Sequence, residues 1–319
     1  MKKVIVFLVF MLFCTATYAQ KVSKVVFFGD SLTDNGNLFR LVELIPKTPP
    51  YYQGRFSNGP TWAENLGEYF VKTNGAKYEI YAYAGATAAA HNIFETLAPT
   101  LLVDQVARYL ETNPSDDKSK VLFVFWIGAN DYLFLPTGNA DELTTAAIQK
   151  TANGITTLLD QGAQNFLILD LPDLSKTPFA ADLNMVSQMG SFTILHNQKL
   201  ASLVDKMQKE HPQAQLMLFQ LLQFSELIEN PAKYNAKYHL NLSNTRAACW
   251  QGSVFDDIDT DNLANKTNKA ISNPQPEVKE PILCEHPEQY VFFDHLHPTA
   301  TVHQLLAALV EEAMNNRWS

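Results

Sequence analysis

Five short apolar runs, set apart by stretches with helical spacing, constrain this chain more than any other feature. Val25–Phe28, Tyr78–Tyr83, Val121–Ile127, Phe166–Leu171 and Gln215–Phe219 read as strands. In Val121–Ile127 all seven residues are apolar, rich in valine and aromatics. A strand without a polar face must be covered on both sides, as in a parallel sheet between two layers of helices. The intervening segments supply such helices. Thr61–Phe70 starts at an N-cap threonine, Thr100–Leu110 follows, and Leu143, Ile148, Ile155, Leu158 and Leu159 mark a long helix that Gly162 can end. Residues 186–210 carry Leu195, Leu200, Leu203 and Met207 on one side, and Thr299–Ala313 closes the chain. The alternation predicts an α/β fold: a parallel sheet of about five strands with helices on both faces. No internal repeat and no Gly/Ser-rich linker interrupts it, so residues 20–319 read as one domain.

Residues 1–19 stand apart. Lys2 and Lys3 precede the unbroken apolar run Val4–Phe13, and Thr17-Tyr18-Ala19 offers small residues where a signal peptidase cuts. The run is shorter than the roughly 20 residues a membrane span needs. This predicts export, with Cys14 discarded with the leader, to the periplasm or the medium. Cleavage would leave 22 Lys+Arg against 33 Asp+Glu, a net charge of about −11. So acidic a chain is a poor partner for nucleic acid and has no general attraction to anionic lipid; membrane contact would have to be peripheral and apolar.

Cys249 and Cys284 remain after cleavage, and two cysteines in an exported chain suggest one disulfide. Neither belongs to a C-x-x-C pair. They lie within residues 231–287, which are rich in Asn, Asp, Lys and Pro, have little periodicity, and read as an insertion closed by that bridge.

Four short blocks follow strands. Gly29-Asp30-Ser31-Leu32-Thr33-Asp34-Asn35-Gly36-Asn37 places a serine at a strand's C-terminal end, where open α/β sheets bind ligands. Thr33 stands where a G-x-S-x-G elbow would need glycine. Alone, Ser31 could equally be an N-cap. Asp294-His295-Leu296-His297-Pro298 offers a base and, three residues before it, a carboxylate to orient it. His295 is the rival base, and the H-x-H pair could be read as metal ligands lacking an obvious third. Gly128-Ala129-Asn130-Asp131 offers a side-chain amide, and Gly85 a backbone N–H, to a developing oxyanion. Each of these could also be a simple turn.

Taken together and in this order, the blocks resemble the GDSL/SGNH hydrolase family from Phe28 to about Thr299. The resemblance implies a flavodoxin-like sheet, Ser31 as nucleophile, His297 as base and Asp294 as its orienter. It also implies an oxyanion hole of the Ser31 N–H, the Gly85 N–H and the Asn130 amide. Phe27–Asn37, the stretch Gly54-Arg55-Phe56-Ser57-Asn58-Gly59-Pro60 and the two-cysteine loop before Asp294 look like the secreted bacterial phospholipases A, lysophospholipases and glycerophospholipid–cholesterol acyltransferases.

The expected activity is therefore acyl-ester hydrolysis of a lysophospholipid or related lipid, without metal or organic cofactor. Water or a sterol hydroxyl would accept the acyl group. Tyr132–Pro136 and Pro178–Met189 are the segments expected to line an acyl groove. The alternatives are a short-chain esterase or deacetylase of acylated sugars, and a catalytically silent binding module.

Overall fold

Strands with both faces apolar can only settle between helices, and the computed structural model shows that arrangement. It describes residues 21–43, 45–90, 101–133, 138–252, 282–314 and 317–318; the expected leader lies outside them. Strands β1 (Lys24–Gly29), β2 (Lys77–Ile80), β3 (Val121–Trp126), β4 (Asn165–Leu169) and β5 (Gln215–Phe219) form one sheet in the order β2-β1-β3-β4-β5. Every pairing is parallel. This is the flavodoxin-like order, whose direction switches between β1 and β3; ligands bind beyond the carboxyl ends of the strands at such a switch.

Side chains alternate across the sheet with a period of two. Val26 and Phe28 of β1, Val121, Phe123 and Phe125 of β3, and Phe166 and Ile168 of β4 face one core. Val25, Phe27, Leu122, Val124, Trp126, Leu167 and Leu169 face the other. Helix α1 (Asn37–Val42) is short, and α2 (Trp62–Asn74) opens on a capping box in which the Thr61 N–H donates to Glu64 Oε2 at 2.9 Å. Next come α3 (Leu102–Thr112), α4 (Asn130–Leu133), α5 (Ala140–Asp160), α6 (Pro178–Asp182) and α7 (Val186–Glu210). The first core is closed by α3, α5 and α7, and the second by α2 together with α10 (Ala300–Met314). The expected strand Tyr78–Tyr83 ends at Ile80 as a ladder, although Tyr81 and Tyr83 go on donating their N–H groups to Phe27 O and Gly29 O of β1.

The region after β5 departs from expectation. After the helix α8 (Leu222–Glu229), residues 231–287 show little periodicity, yet α9 (Pro231–Tyr238) and β6 (Asn244–Ala248) form there, and β6 pairs in parallel with β7 (Tyr290–Phe292). A few large side chains carry this order: Leu227, Ile228, Tyr234 and Leu242 pack on Val291, Phe292, Val302 and Leu305. The helices are too short for so few anchors to make a visible pattern. Residues 253–281 of the expected insertion lie outside the described residues.

Cys249 and Cys284 form a disulfide across 35 residues. Cys249 and the partly buried Cys284 pack with Tyr51, Trp250 and Phe293, directly before Asp294. The chain-entropy model assigns such a loop about 4 kcal/mol. Replacing both cysteines with serine should lower the unfolding free energy by about that amount, read as a lower urea midpoint; an unmoved midpoint would mean that the bridge does not hold this region.

Candidate active site

The loop after β1 starts at a forced glycine. A Cβ on Gly29 would lie 2.6 Å from the Trp126 carbonyl oxygen and 2.9 Å from Thr33 Oγ1. Only glycine lets β1 and β3 finish level, at the pairing Gly29↔Trp126. Gln105 of α3 secures that end, accepting from the Gly29 N–H and donating to its carbonyl, both at 2.9 Å. The chain then turns tightly: Thr33 and Asp34 donate to the Asp30 carbonyl at 3.0 and 2.9 Å, leaving Ser31 at the turn's crest, 7% exposed.

His297 reaches this serine from the other end of the chain, with Nε2 2.8 Å from Ser31 Oγ. Its Nδ1 lies 2.7 Å from Asp294 Oδ2 and 3.0 Å from Oδ1. An ionised carboxylate only accepts, so Nδ1 carries the proton and Nε2 is left to accept from the serine hydroxyl. Asp294 Oδ1 also takes the backbone N–H groups of Leu296 at 2.8 Å and His297 at 2.7 Å, which curls the chain so that acid and base face each other. Burial alone would raise the Asp294 carboxyl; the charge of His297 and these hydrogen bonds outweigh it and hold the group below the ordinary carboxylate range. His295, the rival, points elsewhere: its Nδ1 lies 2.6 Å from Asp182 Oδ2, and the pair is exposed. Among the described residues no group of three or more His, Cys, Asp and Glu side chains is placed to hold a metal ion.

Asn130, at the N-terminus of α4, lines the same cavity as Ser31 and His297. One hydrogen of its amide goes to the Ala86 carbonyl at 2.8 Å, which leaves the other for a further acceptor. This bond joins the Asn130 loop to the loop of Gly85, where Ala86 N–H donates to Tyr83 O across the turn. Gly85 itself does not line the cavity. Gly128 has a φ of +122°, and an added Cβ would lie 2.5 Å from His196 Cε1. His196 is buried, which lowers its pKa to about 3, and its Nδ1 is 2.8 Å from the Tyr132 hydroxyl. A neutral imidazole thus backs the loop that carries Asn130.

Two further carboxylates hold the site, and neither was singled out from the sequence. Asp34 accepts the N–H groups of Gly36, Asn37 and Leu38 and, from across the sheet edge, that of Ala84 at 2.8 Å. Asp131 accepts those of Ala88, Ala89 and Ala90 at 2.8, 2.7 and 2.8 Å. Burial pushes Asp34 up to about 6 and Asp131 upward as well, while the N–H donors pull both down. The two staple the Gly85 loop on either side. The sequence offers Asp in D-N-G and N-D contexts, which signals only a turn.

Beside Ser31 opens a cavity of about 840 Å³, its mouth included. Its walls are almost wholly apolar, with Leu221, Phe224 and Leu227 from α8 and its approach, and Val302, Leu305 and Leu309 from α10. The groove expected along residues 132–136 and 178–189 is represented by Leu133 alone, and residues 134–136 lie outside the described ones. The stretch 178–189 supplies no wall; its Ala180 and Met189 are buried in the first core, and only Thr177 just before it lines the space.

The sequence matches the GDSL-like lipase/acylhydrolase family over residues 25–310. It is 30% identical to the phosphatidylcholine-sterol acyltransferase of Aeromonas hydrophila, over 91% of this chain and 89% of that protein. It is 28% identical to the secreted effector protein SseJ of Salmonella typhimurium, over 93% of this chain but only 65% of that protein's length. A solved structure of a GDSL-like lipase from Parabacteroides merdae superposes on 94% of this chain and 98% of its own, with 12% identity and a TM-score of 0.48.

Asp131→Asn would set an amide against three N–H donors. It should lower stability by about 2–4 kcal/mol, read by urea unfolding, and slow turnover of a soluble ester at least tenfold with little change in KM. A wild-type midpoint and rate would show that the carboxylate does not hold this loop.

Proposed function

The chain belongs to the GDSL-like lipase/acylhydrolase family, and we propose that it is an exported esterase releasing the long acyl chain of a lysophospholipid or related phospholipid. The observation that carries the substrate class is the apolar cavity beside Ser31. A sugar deacetylase would be expected to line its site with polar groups for the sugar, whereas the apolar walls beside Ser31 suit a hydrocarbon chain. The net negative charge favours a zwitterionic head group over an anionic one.

In this reading Ser31 Oγ attacks the ester carbonyl as His297 Nε2 takes its proton. The Asp294 carboxylate, held ionised, stabilises the imidazolium that results. The carbonyl oxygen gains negative charge beside the Asn130 amide and the Ser31 N–H, while the Gly85 loop supports Asn130 through the Ala86 carbonyl. His297 then hands the proton to the departing alcohol oxygen, leaving an acyl-serine. Water, deprotonated by the same Nε2, attacks that ester and restores Ser31. Another alcohol at this step would turn hydrolysis into transfer, and the similarity to a phosphatidylcholine-sterol acyltransferase supports testing a sterol as acceptor. Export rests on residues 1–19 and agrees with the secreted relative.

The test is release of free fatty acid from lysophosphatidylcholine beside release of acetate from a soluble acetyl ester. Both should be lost in Ser31→Ala. Val302→Phe, which fills the cavity from α10, should lower the long-chain rate about tenfold or more and spare the acetyl ester. Activity on the acetyl ester alone in the wild type would refute the lipid assignment and leave a short-chain esterase.

A further inference from the structure

One stretch that marks the sequence has no part in the steps above. Gly54–Pro60 and the tyrosines before it run from α1 to the capping threonine of α2, and in the fold they pass directly behind the acid and the base. Tyr51, 2% exposed, donates its hydroxyl to Asp294 Oδ2 at 2.7 Å. That is the oxygen that also takes the His297 Nδ1 proton at 2.7 Å. The Phe56 ring lies 5.2 Å from the His297 ring, centre to centre. Ser57 Oγ donates to the Pro298 carbonyl, and Asn58 Oδ1 accepts the Ala300 N–H, both at 2.8 Å. Arg55 pairs with Glu64 at 2.6 Å and so ties the stretch to α2.

Tyr51 is itself firmly seated. Its ring meets Phe293 edge-on at 5.2 Å and Phe56 at 6.0 Å, and it packs with Cys249 and Trp250. Trp250 N–H donates to Phe293 O at 2.6 Å, so the disulfide segment and the residue before Asp294 are laced together beneath the tyrosine.

We propose that Tyr51 is a positioning residue for the acid–base pair, fixing the rotation of the Asp294 carboxylate and sharing its charge with His297. The inference rests on the reading of Ser31, His297 and Asp294 given above. A buried carboxylate needs its lone pairs filled. Oδ1 is filled by the Leu296 and His297 N–H groups, and Oδ2 by the imidazole and the phenol. With the phenol gone, the carboxylate is free to turn, and the charge that Tyr51 shared falls on the imidazole. The imidazolium is then stabilised more, and His297 gives up its proton to the leaving alcohol less readily.

Tyr51→Phe separates this role from packing, because it keeps the ring and removes only the donor. On a soluble acetyl ester, kcat should fall about 10- to 100-fold, the scale of one hydrogen bond to a charged group. KM should hold, and the acid limb of the pH–rate profile should move to higher pH. The NMR resonance of the proton between His297 Nδ1 and Asp294, observed without substrate, should move as well. Full-length protein with 3-fluorotyrosine at position 51, a stronger donor, should shift the acid limb the opposite way; it serves as the deciding variant if the phenylalanine form proves unstable. An acid limb and a resonance that both stay at their wild-type positions in a folded Tyr51→Phe would overturn the proposal and leave Tyr51 as ring packing. Ser31→Ala, run alongside, keeps the two readings apart. If it stays active, the nucleophile assignment fails, while the resonance still decides whether Tyr51 governs the Asp294–His297 bond.

Discussion

The register of β1 on β3 is the constraint on which the rest of the molecule depends. Pairing Gly29 with Trp126 ends both strands at one level, at the point where the sheet order switches. Their following loops, Asp30–Asp34 and Ile127–Asp131, therefore leave side by side, and the Gly85 loop joins them from β2. A side chain at position 29 would push β1 away from the Trp126 carbonyl and tilt the whole set. Gln105 shows how closely that end is held: its amide supplies both an acceptor and a donor to Gly29, as a neighbouring strand would.

Level strand ends alone would leave three floppy loops. Buried anions make them rigid. Asp34, Asp131 and Asp294 each gather backbone N–H groups from their own turn or from a loop far away in sequence. A carboxylate removed from water loses far more by giving up such a donor than an exposed one does, so each acts as a stiff joint. Asp30 differs in kind. Burial drives it up to about 7, against the Leu32 N–H and the charge of His297, which pull it down.

What could be read from the sequence follows the range of the physics involved. The sheet was legible because burial on both faces writes an apolar run into its central strands β1 and β3, while the edge strands β2 and β5 are more polar and less buried; the helices were legible because one apolar face repeats every three to four residues. Ser31, His297, Asp294 and Asn130 were legible as blocks, and the fold brings them together. The joints were not. Asp34 acts on Ala84, Asp131 on Ala88–Ala90 and Tyr51 on Asp294, across separations of 50, about 42 and 243 residues. A turn-forming aspartate or a tyrosine looks the same in sequence whether or not such a partner awaits it. The acyl-lining expectation failed for a related reason. It followed the loops after β3 and β4, whereas the apolar space is made by α8, whose few anchors hide its helical character, and by the flank of α10.

That α10 forms one wall of the cavity has a mechanical consequence. The base sits at His297, and Pro298 leads at once into α10, whose Val302, Leu305 and Leu309 face the apolar space. An occupant of the cavity would therefore press on the helix that carries the base at its entrance. Ser57 and Asn58 grip the same entrance from behind through Pro298 and Ala300. The position of His297 is held by Asp294 and by this clamp, and the helix that follows it forms a wall of the cavity. Binding energy at a site remote from the reacting atoms appears in kcat only where it is transmitted to the base, and the join of Pro298 to α10 is the short path between the two here.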